Sequence, residues 1–145
     1  MQKMHRKKGF TLMELLIVIG IIAILAAIVI IAINPGRQLA QSRNSQRWSN
    51  VNTLLNAIHQ QSIDNNGTIN AGITAVCPVT QAIDNGAAGA GVDLSGLVPD
   101  YTADLPSDPT GAAGVDTGYD VCREGNRVTV SAPAAELNAT IDATR

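Results

Sequence analysis

The chain has 145 residues, of which 46% are hydrophobic, 15% charged and only 3% aromatic, with a formal charge of −2 and two cysteines. Ten Lys and Arg are outnumbered by twelve Asp and Glu, and four of the ten lie within the first eight residues. From Ile63 onward the cations are only Arg123, Arg127 and Arg145 against mostly Asp. That acidic part is a poor general nucleic-acid binder, since phosphate neutralisation dominates such affinity, and binding would need the helix arginines. The chain contains no Ser-His-Asp set, zinc-ligand spacing or phosphate loop, which leaves enzymatic classes without residues to carry them.

Leu12 to Ile33 is an apolar run broken only by Glu14 and Gly20. About 20 apolar residues at ~1.5 Å rise cover a ~30 Å hydrocarbon core. A cleaved secretory signal has a shorter h-region of about 7–15 residues and a small-x-small site. Here Ala23, Ala26, Ala27 and Ala32 never fall two apart. The leader carries Lys3, Arg6, Lys7 and Lys8, and the positive-inside bias holds that end in the cytoplasm. Everything after Ile33 is then expected outside the membrane. Glu14 is the anomaly: a carboxylate at the start of a spanning segment is costly and marks function.

Lys7-Lys8-Gly9-Phe10-Thr11-Leu12-Met13-Glu14 followed by the apolar run resembles the processing motif of type IV prepilins and type II secretion pseudopilins. The resemblance implies that a membrane peptidase cuts between Gly9 and Phe10 and that Phe10 becomes the N-methylated first residue. It also makes Glu14 the acid that docks a subunit on its neighbours. Residues four apart share a helix face, so the new Phe10 amine is placed to compensate Glu14 of its own or a neighbouring subunit. Removal of the four leader bases takes the side-chain charge from −2 to −6.

The resemblance further implies a division into a leader over 1–9, a transmembrane and filament-core helix over 10–33, a connecting amphipathic helix over 34–62 and a small head over 63–145. Asn34 and Pro35 read as N-cap and first helical position. Residue 34 is also disfavoured in the α region because proline follows. Two outcomes are open: a kinked continuous helix, which the short interruption favours, or two helices meeting there. In the second half Val51, Leu54, Leu55 and Ile58 recur at helical spacing and predict a core face. Gln38 to Asn50 has no continuous apolar face, so Arg37, Arg43 and Arg47 are expected on a solvated or inter-subunit surface, Trp48 as a partly buried packing residue and His59 as structural.

From Ile63 turn signals become frequent. The best strand signal is a hairpin, Gly118 to Cys122 and Arg127 to Ser131. Asp93 to Val98 reads as an edge strand or a short helix. The stretch Val98 to Pro109 resembles the Leu-Pro-x-Asp-Pro loop of pseudopilin heads. The expected fold is α+β: a long N-terminal helix, kinked near Asn34-Pro35, packed on a small antiparallel sheet. Cys77 and Cys122, an even pair in an oxidising compartment, read as a disulfide. Asp104, Asp108, Asp116 and Asp120 are calcium candidates by their oxygen chemistry, though Asp is equally a turn former. No other cofactor is expected. Asn66-Gly67-Thr68 and Asn138-Ala139-Thr140 match glycosylation sequons, and Asn-Gly is equally a turn.

The expected function is structural. The chain reads as a pilin or pseudopilin subunit, held in the cytoplasmic membrane by one pass and then polymerised into a surface pilus or extracytoplasmic pseudopilus. The partners implied by the resemblance are other copies of the chain, the prepilin peptidase, a membrane platform and an assembly ATPase. The alternative is a monomeric, signal-anchored protein whose head binds a ligand or protein.

Overall fold

Thr11 starts the first helix, α1 (Leu12–Ile33), as an N-cap with extended backbone. The computed structural model describes residues 9–70, 72–86 and 89–145; the basic residues Lys3, Arg6, Lys7 and Lys8 lie outside them. All 22 residues of α1 are solvent-exposed in the single chain. At ~1.5 Å per residue the helix is about 33 Å long, so by length and composition it is able to cross a membrane. It ends at Asn34, whose backbone turns left-handed with φ 47°.

The second helix, α2 (Pro35–Asp64), starts immediately afterwards. The Asn34 carbonyl accepts from Arg37 N at 3.1 Å and Gln38 N at 3.3 Å, and its side-chain Oδ1 accepts from Arg37 N at 3.4 Å. Proline at the first helical position forfeits only an N–H that would have been orphaned. Of the two outcomes open from sequence, the chain forms separate helices divided by the single non-helical residue Asn34. Residues 1–38 and 39–145 are two compact units.

In the second unit, α2 ends in a Schellman turn: Gly67 N donates to the Ser62 carbonyl at 2.8 Å and Asn66 N to Ile63 at 3.2 Å, with Asn66 at φ 55°. This arrangement satisfies the last free carbonyls of the helix. Five strands follow: β1 (Gln81–Asp84), β2 (Val92–Asp93), β3 (Asp116–Glu124), β4 (Arg127–Ser131) and β5 (Asp142–Thr144), in sheet order β2-β1-β3-β4-β5. Neighbours pair antiparallel except β1 and β2, which are parallel, so the sheet is mixed rather than wholly antiparallel. The β3–β4 hairpin is the one expected, lengthened to Asp116 and closed by Gly125 at φ 61°. Asp93 to Val98 divides between both readings: Asp93 ends edge strand β2, and Ser95–Leu97 form a 3-10 turn.

Strand alternation buries Tyr119 and Val121 of β3 with Val128 and Val130 of β4 against Val51, Leu54, Leu55 and Ile58 of α2. Ile73, Ile83, Leu94 and Leu97 extend this core, and all are fully buried. The fold is therefore α+β, with the helical core face anticipated from spacing.

Candidate functional site

The first unit places its polar groups at the mouth of α1. Glu14 Oε2 accepts from Thr11 N and from Thr11 Oγ1, both at 2.8 Å, while Thr11 Oγ1 accepts from Glu14 N at 3.2 Å. This is a capping box, in which Ser or Thr and a Glu three residues on satisfy each other's backbone donors. The Thr-x-x-Glu spacing of this box stands in the sequence as Thr11-Leu12-Met13-Glu14. Because α1 begins at Leu12, Phe10 precedes the N-cap and does not stand one helical turn below Glu14 in the uncut chain. Phe10 is 88% exposed, and the Gly9 backbone has nothing within 4 Å of a Cβ built on it. The Gly9–Phe10 bond is thus non-helical and open. Phe10 and Leu15, the positions of a hydrophobic staple, line one apolar groove beside Glu14. Glu14 Oε1 accepts no hydrogen bond among the described residues.

In the second unit Cys77 and Cys122 are joined, with Cα atoms 5.2 Å apart and a sequence separation of 45. The bond ties the segment leading to β1 onto the central strand β3.

The arginines depart from expectation. Arg47 has no exposure at all. Its Nε donates to Asp108 Oδ2 at 2.6 Å and its Nη2 to Asp108 Oδ1 at 3.1 Å, a bidentate pair, while Nη1 reaches Glu136 Oε2 at 3.1 Å. Asn44 Oδ1 and Thr110 Oγ1 accept the remaining donors. Arg43 holds the same Glu136 through two 2.6 Å hydrogen bonds. A solvated or inter-subunit polar face is therefore wrong for Arg47: its charge is consumed internally, fixing the 108–111 loop and the 132–141 segment on α2. Burial pushes the Asp108 carboxyl up. The Arg47 hydrogen bonds, the Thr110 and Gly111 N–H groups and the Arg47 charge outweigh it and hold the carboxyl at about 2. Glu136 is held at about 2 chiefly by its Arg43 hydrogen bonds. No sequence signal links Arg47 to an acid 61 positions away, so only tertiary contact reveals the pair.

The four calcium candidates are not gathered. Asp108 is occupied by Arg47, Asp120 accepts from Thr80 Oγ1 at 2.8 Å, Asp116 from Gly118 N at 2.7 Å and Asp104 from Leu105 N at 2.9 Å. Among the described residues no three His, Cys, Asp or Glu side chains converge as a metal site. Asp108 is an ion-pair partner, Asp116 caps a turn through Gly118 N, and Asp120 holds Thr80 from within β3. Trp48 is 44% exposed, and His59 is half-buried, its Nε2 without a partner among the described residues.

Residues 4–33 match the family model described as the prokaryotic N-terminal methylation motif. No curated protein and no solved structure matches the chain. The match lies over the open Gly9–Phe10 bond, the Thr11–Glu14 box and the apolar helix, and it is the cleavage and methylation motif of type IV pilins and pseudopilins. Over residues 4–33 the chain therefore carries a prepilin-type N-terminal segment.

Proposed function

We propose that this chain is a structural subunit, not an enzyme. In this reading it is cut between Gly9 and Phe10, methylated on Phe10, stored in the cytoplasmic membrane with its amino terminus inside, and polymerised into a pilus-like filament or pseudopilus. The observation that carries the reading is the pairing of an open Gly9–Phe10 bond with Glu14 at the head of a helix that buries none of its residues within its own chain. Exposed apolar area of that size needs lipid or other copies to cover it. At ~25 cal/mol per Å² its transfer between the two is a large term, reduced by the entropy of association. A carboxylate entering that apolar contact costs several kcal/mol unless paired. The amine that cleavage creates is the partner, and Glu14 Oε1, which accepts no hydrogen bond among the described residues, is the atom to receive it.

The peptidase, a membrane platform and an assembly ATPase complete the proposed system. The acid-rich head offers nothing to nucleic acid. The test is the N-terminal mass of the mature chain together with Glu14→Ala. A start at N-methyl-Phe10, with filaments lost and membrane insertion kept in Glu14→Ala, is the expected result. An uncut chain, or unchanged surface assembly in the variant, overturns the reading, and a parent that forms no filament favours a monomeric anchored protein.

A further inference from the structure

The chain holds two Asn-Gly pairs, Asn66-Gly67 and Asn85-Gly86. In such a pair the following backbone nitrogen most readily reaches the side-chain amide, because glycine has no Cβ to obstruct the approach. The sequence treats the two alike, but the fold does not. Asn66 is locked in the left-handed turn that ends α2, and Gly67 N–H, the nitrogen that would attack, donates to the Ser62 carbonyl at 2.8 Å. Hydrogen bonds from Asn66 N to Ile63 and from Thr68 N to Asn65 brace the same turn.

Asn85 opens the connection after β1 and is exposed. Its own N–H is anchored on the Val115 carbonyl at 2.7 Å, whereas Gly86 N–H has no backbone acceptor among the described residues and is directed only at the Asp93 carboxylate. Among the described residues nothing lies within 4 Å of a Cβ built on Gly86.

We propose that Asn85 is the site of spontaneous deamidation in this protein and that the helix-ending turn spares Asn66. Gly86 N gives its proton to water and attacks Asn85 Cγ. The bond from Cγ to the side-chain nitrogen breaks, and ammonia leaves with a proton from solvent. Water then adds across either C–N bond of the succinimide ring, giving aspartate or isoaspartate at position 85 with no redox change. The product places a new carboxylate at the sheet end where Asp84 pairs with Asp93 on one side and Asp116 on the other. Isoaspartate also inserts a methylene into the backbone just before the loop that closes on Asp84 through Gly91 N–H at 2.6 Å. An old subunit therefore becomes more acidic and looser at this edge.

The experiment incubates the full-length, disulfide-bonded protein in detergent micelles at mildly alkaline pH and follows both sites by peptide mass mapping that resolves isoaspartate. Opening one ordinary hydrogen bond lowers the reactive population about 2- to 13-fold, so Asn85 is expected to convert faster than Asn66 by at least that range. In urea after reduction the two should convert at similar rates, and Asn85→Gln should remove the faster phase. Conversion of Asn66 as fast as Asn85 in the folded protein overturns the proposal. So does an intact Asn85 over a period in which the unfolded chain converts.

Discussion

Replacing Asp108 by Asn removes one charge and almost no volume, and it tests whether the buried Arg47 pair holds the head together. Arg47 and Asp108 side chains are both fully buried. Breaking such a pair costs about 3–5 kcal/mol, because the remaining charge stays in a medium that solvates it poorly. Glu136, 3.1 Å from Arg47 Nη1 and partly exposed, still supplies compensation, which brings the expected loss to about 2–4 kcal/mol. The proton linkage gives a second route to the same figure. Asp108 sits at about 2 in the folded protein, against ~3.9 unfolded. Its folded value is depressed, so the stabilisation is present above the unfolded value and is lost as pH falls from about 5 towards 2. The difference is roughly 2–3 kcal/mol at neutral pH. Urea unfolding of the full chain in detergent, read by Trp48 next to Arg47, measures both. Asp108→Asn should lose 2–4 kcal/mol at pH 7 and show a flatter decline below pH 5 than the parent, the residual slope belonging to Glu136. A cycle with Arg47→Met should give a coupling of about 2 kcal/mol or more. A loss under ~1 kcal/mol, or identical acid profiles, would refute the reasoning.

Serine at both Cys77 and Cys122 should cost about 4 kcal/mol in the chain-entropy picture for a loop of this length, seen as a lower unfolding midpoint that reducing agent does not change further. Gly118→Ala should cost at least ~2 kcal/mol. Gly118 has φ 79°, and a Cβ there would lie 2.8 Å from Asp108 Cβ and from the Gly111 backbone; the readout is the same urea midpoint, and a neutral effect would contradict the tight seat of the 108–111 loop. Tyr119→Phe should remove the 2.8 Å bond from Asn50 Nδ2 and leave that amide only its 3.5 Å bond to the Ser107 carbonyl, for about 1 kcal/mol. An unchanged midpoint would show that water replaces the hydroxyl.

What the sequence determined by itself lies at the start of the chain and in local patterns. Leu12 to Ile33 read as one helix because it holds no proline and only Glu14 and Gly20 interrupt its apolar run, whereas Asn34-Pro35 left open a kink or a break, and the structure decided for the break. Val51, Leu54, Leu55 and Ile58 marked the core face of α2, and the alternation of Arg127 to Ser131 marked a strand, since both signals repeat within a few residues. Glu14 stood out as a lone carboxylate at the head of the apolar run, and its Thr11 cap was written three positions away. Tertiary structure alone decided the rest. Arg47 read as a surface arginine because its acid lies 61 residues later in a proline-flanked loop, and Asp108 read as a free oxygen ligand for the same reason. The parallel pairing of β1 with β2 and the addition of β5 depend on strands too short to announce themselves. The two Asn-Gly pairs, identical as letters, were separated by a helix-ending turn that holds one backbone nitrogen on a carbonyl and a strand end that gives the other no backbone acceptor among the described residues. Periodicity is a local property of the chain, whereas charge pairing and hydrogen-bond satisfaction are settled only when distant segments meet.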